Sequence, residues 1–143
     1  MARTVQVVID CANPRAVGEF WAAALDYVVE SPPSGFATWE DALRAWGVPQ
    51  DQWDRAFAVV DPDGVGPRMF LQRVPEGKTV KNRLHLDIRF SDPEVHGETR
   101  DTALLAEVER LEALGAVRQE WRFEEGKHFM VMQDVEGNEF CLT

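Results

Sequence analysis

Apolar and polar residues alternate most clearly in the segment LHLDIRF, residues 84–90. Every second residue there is apolar, and the residues between them are His85, Asp87 and Arg89. Successive side chains of a strand point to opposite faces. The segment is therefore predicted to be a strand with one face on a core and its polar residues on the other face. A strand with one solvent-exposed face gives the same alternation, so the pattern alone does not identify a site.

Seven further segments have apolar patterns typical of strands. They are Thr4–Cys11, Tyr27–Glu30, Phe57–Val60, Arg68–Val74, Ala116–Phe123, Lys127–Gln133 and Asn138–Thr143. Two turns, at 61–64 and 134–137, each end in glycine and each join two of these strands. Glycine supplies the positive φ that such a turn requires.

Two longer segments have apolar residues at helical spacing. The first begins at Asn13-Pro14, where asparagine caps the helix and proline suits its first position. Its apolar stripe is Val17, Phe20, Trp21, Ala24 and Leu25. The second is predicted at about Asp101–Leu114, after a polar, turn-like segment at Ser91–Arg100, and Gly115 ends it. Its apolar stripe is Leu104, Leu105, Val108, Leu111 and Leu114.

An insertion at about 31–55 contains three of the five tryptophans, Trp39, Trp46 and Trp53. A short helix is predicted at Trp39–Trp46, with one more helical turn at Gln50–Trp53. The tryptophans form a small core beneath this loop, cover the mouth of a cavity, or contribute to a dimer contact. The sequence leaves these three alternatives open.

The element order is βαβββ, repeated once. The halves are residues 1–75, which include the insertion, and 83–143, and FAVVDPDG in the first resembles FMVMQDVEG in the second. Such a repeat indicates internal duplication. Each half has too few strands to be stable alone. We therefore predict one α+β domain over residues 1–143, with helices on the outer faces and the inner faces enclosing a cleft.

Composition and charge exclude several classes of function. The net charge of −10 disfavours nucleic acid and anionic membrane surfaces as partners. No apolar run is long enough to span a membrane, and the N-terminus lacks the features of a signal peptide. A cytoplasmic location is expected, and the two cysteines are not expected to form a disulfide.

One basic cluster is either a solvated loop or a positive rim that attracts a small anion. It consists of Arg68, Arg73, Lys78, Lys81 and Arg83.

The chain has no motif for a nucleophilic serine or for a phosphate-binding loop. GxSxG is absent, and VDPDGVGP lacks the GK[ST] element of a P-loop. No nucleotide cofactor is expected.

Three motifs resemble the vicinal oxygen chelate superfamily, and within it the glyoxalase-like and bleomycin-resistance-like domains. They are IDCANPRAVGEFWAAALDY, KNRLHLDIRF and DVEGNEFCL. The resemblance implies two βαβββ modules that form an incomplete barrel around a cleft, and a homodimer. In the metalloenzymes of this superfamily, the first and last strands of each module supply ligands to a divalent metal ion.

The resemblance assigns the four ligand positions to Gln6, to Gln72 or Phe70, to His85 and to Cys141. The superfamily's enzymes usually have glutamate at the last position, and here Glu139 lies two residues early. Asp10 and Asp87 share the inward phase but occupy no family ligand position. The sequence does not decide between Gln72 and Phe70.

This ligand set suits a conventional metal site poorly. Enediolate chemistry requires a hard divalent ion held by carboxylates and imidazoles. Two amides are weak ligands, and a thiolate selects a softer ion such as zinc or copper(I). In the alternative interpretation these residues have structural partners. His85 hydrogen-bonds Asp87 or a backbone group, Gln6 and Gln72 bond each other or a water, Asp10 forms an ion pair with Arg89, and Cys141 is a small buried hydrophobe. No cofactor is therefore expected, and a divalent metal is the alternative.

Three functions stay open. The first is a domain that binds a small organic molecule in the cleft without the conventional metal site. The second is a divalent-metal-dependent lyase, isomerase or dioxygenase that uses His85, so enzymatic activity is undecided. The third is a structural or regulatory subunit. The cleft-facing candidates are Gln6, Asp10, Phe70, Gln72, His85, Asp87, Arg89 and Cys141, and the aromatic residues proposed for stacking are Phe70, Trp121, Trp39 and Trp53.

Overall fold

A computed structural model describes residues 1–92 and 94–143; Pro93, in the predicted turn-like segment, lies outside the described residues. The chain divides into two compact units, Met1–Gly77 and Lys78–Thr143, called here the N-terminal and C-terminal modules. Each module contains one four-stranded sheet. The α+β class and the repeated βαβββ order predicted from the sequence are confirmed.

The N-terminal module has four strands in the order β1-β4-β3-β2, with β1 parallel to β4 and the other pairs antiparallel. Its elements are β1 (Val7–Cys11), α1 (Pro14–Leu25), β2 (Val28–Val29), α2 (Trp39–Ala45), a 3-10 turn (Gln50–Gln52), β3 (Ala56–Val60) and β4 (Met69–Arg73).

The C-terminal module repeats this connectivity. Its strand order is β5-β8-β7-β6, again with the first strand parallel to the last. Its elements are β5 (Leu86–Ile88), α3 (Gly97–Ala113), β6 (Val117–Glu124), β7 (Lys127–Gln133) and β8 (Glu139–Leu142). β5 is shorter than the predicted strand, and Leu84, expected on its apolar face, is exposed.

Helix α1 begins where the sequence predicted. The side chain of Asn13 accepts a hydrogen bond from the Ala16 N–H, and Pro14 occupies the first helical position. The helix ends at Asp26, which adopts a left-handed conformation. The apolar side of the helix is buried, including Val17, Phe20 and Trp21. These side chains form part of the core of this module.

Helix α3 differs from its prediction at its N-terminus. It begins at Gly97, four residues before the predicted start. The polar sequence before Asp101 predicts a turn, but Arg100 is buried in the first turn of the helix. The guanidinium of Arg100 donates to the carbonyl oxygen of His128 at 2.6 Å and lies over the ring of Phe90. The apolar stripe is also narrower than predicted, since Leu105 and Leu114 are exposed. Its buried members are Leu104, Val108 and Leu111.

The two glycine turns have the same construction in both modules. Asp61 accepts from the backbone N–H groups of residues 63, 65 and 66, and Asp134 accepts from those of residues 136 and 138. Aligning the modules on these aspartates makes Phe57 the equivalent of Met130. An alignment that starts from the two phenylalanines, as FAVV and FMVM suggest, is one residue out of phase. Phe57 lies against α1, whereas Phe129 lies on the face away from α3.

The tryptophans of the insertion form a small local cluster, in which Trp39 and Trp53 are half-buried and Trp46 is exposed. The indole of Trp39 donates to the Glu30 carbonyl at 2.8 Å, and that of Trp53 donates to the Val48 carbonyl at 2.9 Å. The rings of Trp39 and Trp46 meet edge to face at 6.5 Å, and Ala42 is fully buried. These contacts favour the small-core interpretation among the three alternatives.

Two further features concern the whole described chain. Within residues 1–92 and 94–143, no helix has the length and apolar character needed to cross a membrane. Cys11 and Cys141 are both buried thiols in different sheets.

Gly18 provides a test of the packing of α1. Replacing a helical glycine with alanine normally stabilises a helix by about 1 kcal/mol. Here a Cβ atom would overlap the ring of Phe57 and lie 3.2 Å from a methyl carbon of Leu71. We predict that Gly18→Ala lowers the free energy of unfolding by about 1–3 kcal/mol, the usual cost of overpacking. Urea unfolding monitored by circular dichroism measures this, with the exposed substitution Glu19→Ala as a control. A stabilised Gly18→Ala protein would contradict the packing described here.

Candidate functional site

The face of the C-terminal sheet opposite α3 carries a row of paired side chains. Asp87 on β5 lies beside Cys141 on β8, and Cys141 lies beside Val131 on β7. Side chains alternate along each strand, and the neighbouring residues Ile88, Leu142 and Met130 are buried on the α3 side. Sheet pairing therefore fixes Asp87, Cys141 and Val131 on one open face.

A cavity of about 920 Å³ lies over this open face, and all of its lining residues belong to the C-terminal module. Phe129 and Val131 form an apolar strip in it, and Arg89 and Arg122 are among its charged residues. The volume is within the range of about 300–1,000 Å³ that is typical of small-molecule sites.

Three metal-ligating side chains meet in this cavity. One ligand atom each from His85, Asp87 and Cys141 lies within 4.8 Å of the other two. The Nε2 atom of His85 is 3.5 Å from Oδ1 of Asp87. Cys141 is 8% exposed, whereas the side chains of His85 and Asp87 are 42% and 52% exposed. The thiol thus lies at the base of the cluster, and the imidazole and carboxylate lie above it.

Burial raises the pKa of the Cys141 thiol, and the negative charge of Asp87 raises it further, whereas Arg122 and Lys81 act in the opposite direction. A thiol with a raised pKa is a weak nucleophile at neutral pH, because the thiolate is the reactive form. A cation bound beside Cys141 and Asp87 would stabilise the thiolate.

Glu139, the carboxylate nearest to the family's last ligand position, has other partners. It accepts hydrogen bonds from Nζ of Lys78 at 3.0 Å and from the Asn82 N–H at 2.9 Å. Burial raises the pKa of Glu139, but the Asn82 N–H and the Lys78 ammonium outweigh it and lower the pKa to about 2. Glu139 therefore links residues 78–82 to β8 through hydrogen bonds. Its low pKa makes it a poor general base.

The open face of the N-terminal sheet is filled by polar contacts of its own. Arg68 makes a bidentate ion pair with Glu30, with distances of 2.7 and 2.6 Å, and donates to Oε1 of Gln6 at 2.9 Å. Its guanidinium also lies over the ring of Phe70 at 5.1 Å. Gln6 therefore accepts from Arg68 and not from Gln72, which was one of the two partners considered from the sequence.

Gln72 has a different partner on the same face. Its Nε2 atom donates to Oδ1 of Asp10 at 2.7 Å. The pairing of Asp10 with Gln72 follows from the parallel register of β1 and β4. Asp10 thus has a hydrogen-bond partner in its own module, Gln72, other than the predicted Arg89.

The strand register decides which residue of β4 corresponds to Cys141. With the modules aligned on Asp61 and Asp134, Val59 is the equivalent of Met132, and these two residues pair with Met69 and Phe140. Met69 and Phe140 pair in turn with Val7 and Leu86. One residue further along, Phe70 is therefore the equivalent of Cys141. Gln72 is the equivalent of Thr143, at the end of the chain.

The conventional four-ligand set does not fit these residues. In the N-terminal module the equivalent of His85 is Gln6, whose amide oxygen already accepts from Arg68, and the equivalent of Cys141 is Phe70, which has no ligand atom. A hard ion such as Mn(II) prefers oxygen and imidazole ligands, and Cys141 offers sulfur instead. Among the residues that the structure describes, the donors that do meet are all in the C-terminal module.

The basic cluster from Arg68 to Arg83 is largely neutralised. Arg68 pairs with Glu30, Arg73 with Asp54 at 2.6 Å, and Lys78 with Glu139. The solvated-loop alternative fits these ion pairs better than a positive rim does.

Trp121 and His128 lie on the α3 side of the C-terminal sheet. Their rings stack at 4.8 Å, and Nδ1 of His128 is 2.7 Å from Oδ2 of Asp101 on α3. The prediction that Trp121 supplies stacking surface in the cavity is therefore wrong.

A bulge between Arg118 and Glu120 shifts the register of β6, so that Glu120 and Arg122 line the cavity instead. In the sequence, Glu120, Arg122 and Glu124 alternate with Trp121 and Phe123. This alternation indicates that the charged residues lie on one face of the sheet and the aromatic residues on the other.

The sequence matches the model of the glyoxalase-like domain family over residues 6–143. The chain therefore belongs to this family. No curated protein matches it.

Solved structures of the vicinal oxygen chelate superfamily have the same fold. A variant of the fosfomycin resistance protein FosX from Listeria monocytogenes, complexed with Mn(II) and dihydroxypropylphosphonic acid, has a TM-score of 0.64 and 8% identity over 99% of this chain and 89% of its own. A glyoxalase/bleomycin resistance protein/dioxygenase family enzyme from Burkholderia phytofirmans has a TM-score of 0.62 and 13% identity, over 99% and 97%. At these identities the likeness shows the fold, and the resemblance stated from the motifs is confirmed.

The contacts of Glu139 predict a pH dependence of stability. Because the pKa of its carboxyl group falls from an ordinary 4.5 to about 2 on folding, its ionisation stabilises the protein at pH values above about 4.5. This contribution is lost as the pH falls through about 2. The stability difference between the wild type and Glu139→Gln, measured by urea unfolding, should shrink between these pH values. Glu109→Gln, at an exposed position of α3, is the control, and a pH-independent difference for Glu139→Gln would contradict this account.

Proposed function

We propose that this glyoxalase-like domain binds a small organic molecule on the open face of its C-terminal sheet, without the family's conventional four-ligand metal site. The observation that carries the proposal is the cavity of about 920 Å³ over the row formed by Asp87, Cys141 and Val131. An apolar strip beside a few converging polar groups is the usual composition of a ligand site.

The chemistry of the cavity favours a small organic anion. Arg89 lines the cavity, and among the described residues no ion pair involves it. A guanidinium binds carboxylates and phosphonates through two parallel hydrogen bonds. Phe129 and Val131 would contact the apolar body of the same ligand. The phosphonic acid bound to the FosX variant belongs to this class of ligand.

A ligand titration followed by two-dimensional NMR tests this proposal. We expect small aromatic or aliphatic carboxylates and phosphonates to shift the amide signals of Arg89, Phe129, Val131 and Cys141. Arg89→Gln should weaken binding by about 10-fold or more, since a charge-assisted hydrogen bond contributes about 1.5–3 kcal/mol. Arg83→Gln, an exposed cation of the same module outside the cavity, should leave binding unchanged. Equal affinities of the two variants, or shifts confined to other surfaces, would contradict the proposal.

A second candidate is a divalent-metal-dependent lyase, isomerase or dioxygenase that uses His85. The observation in its favour is the close approach of ligand atoms from His85, Asp87 and Cys141. Turnover of thiol adducts or catechols by metal-loaded protein tests it. Activity should be lost in His85→Ala and kept in His128→Ala, whose histidine lies on the opposite face of the sheet.

A further inference from the structure

We infer that His85, Asp87 and Cys141 form a zinc site contained entirely within the C-terminal module, with its fourth position open to the cavity. This inference deepens the proposed function and rests on it only for the fourth position, which a water or the bound anion would occupy. It differs from a four-ligand arrangement because Asp87 replaces the residues that the N-terminal module would supply.

The distances suit a tetrahedral ion. Zinc bonds of about 2.0–2.3 Å place neighbouring nitrogen, oxygen and sulfur ligand atoms about 3.3–3.7 Å apart in a tetrahedron. The separation of Nε2 of His85 from Oδ1 of Asp87 is already 3.5 Å. All three ligand atoms lie within 4.8 Å of each other, so small side-chain rotations bring Sγ of Cys141 into range.

The sheet holds Asp87 and Cys141 in place, and His85 lies one residue before β5. Asp87 and Cys141 are directly paired on the parallel strands β5 and β8. His85 lies two residues before Asp87, and its Nε2 atom is within 3.5 Å of that carboxylate. Two of the three ligands therefore lie on rigid, paired strands, which form more precise sites than loops do.

The donor types select the metal. A thiolate, an imidazole and a carboxylate are all ligands of zinc, whereas thiolates are rare around Mn(II) and Mg(II). Three protein ligands with one open position are the usual arrangement of catalytic zinc. The partly exposed imidazole and carboxylate leave a path for the ion and for a fourth ligand.

A purely structural pairing of His85 with Asp87 explains these contacts less well. A hydrogen bond between a nitrogen and an oxygen is normally 2.7–3.2 Å long, and this separation is 3.5 Å. In the same module, His128 and Asp101 show what such a pair looks like, with atoms 2.7 Å apart. His85 and Asp87 are instead spaced as two ligands of one ion.

The test uses the complete chain without a histidine tag, stripped of metal and reloaded with Zn(II), Co(II) or Mn(II). We expect one equivalent of zinc by mass spectrometry, displacement of Mn(II) by Zn(II), and a cobalt spectrum with thiolate-to-metal charge transfer and intense tetrahedral bands. Cys141→Ser should remove the charge-transfer band, and His85→Ala and Asp87→Asn should each weaken zinc binding by about 10-fold or more.

Matched controls use the other cysteine and another histidine of the chain. Cys11→Ser and His128→Gln should bind zinc as the wild type does, and circular dichroism establishes that each variant is folded. Absence of stoichiometric zinc in the wild type, a cobalt spectrum without the thiolate band, or equal zinc loss in Cys11→Ser and Cys141→Ser would each overturn the inference. If the wild type binds no zinc but a small carboxylate or phosphonate still shifts the amide signal of Arg89, the zinc inference fails alone. If neither zinc nor these anions bind, the proposed function is overturned as well.

Discussion

The parallel pairing of β5 with β8 is the constraint on which the candidate site depends. It sets Asp87 beside Cys141 on one face and Ile88 beside Leu142 on the other. Because Ile88 and Leu142 are buried in the α3 core, a shift of one residue would bury the aspartate and expose apolar side chains. The hydrophobic core of the C-terminal module therefore fixes the positions of the polar residues on its open face.

The two modules have the same topology but use their open faces differently. In the N-terminal module, Arg68 binds Glu30 and Gln6, and Asp10 binds Gln72, so polar groups satisfy one another. In the C-terminal module, the corresponding face has a cavity with three metal-ligating groups near Arg89. The two modules therefore have equivalent frameworks, and the residue types on their open faces differ.

The sequence predicts the fold well because the relevant signals are local. The Asn13-Pro14 cap, the alternation in β5 and the two aspartate-glycine turns each specify one element directly. Helix α3 was predicted too late because Arg100 is buried by pairing with the His128 carbonyl, a contact between residues 28 positions apart. No local pattern signals such a contact.

The candidate site was predictable only in part, for the same reason. The phase of His85, Asp87 and Arg89 is visible in one strand, but their relation to Cys141 depends on the register between β5 and β8. The bulge in β6 places Arg122 in the cavity and Trp121 on the opposite face. The partners of Gln6 and Gln72 likewise depend on strand pairing and on Arg68, which lies 62 residues from Gln6.

The central claim is that the chemistry of this domain belongs to the C-terminal module alone. An NMR titration with Zn(II) that follows the His85 ring together with the side-chain amides of Gln6 and Gln72 tests it most directly. The account predicts that the His85 ring and the backbone signals of Asp87 and Cys141 shift, while both glutamine side-chain signals stay unchanged. Shifts of the Gln6 or Gln72 side-chain amides at the same stoichiometry would show that the N-terminal module shares the metal, and would contradict the account.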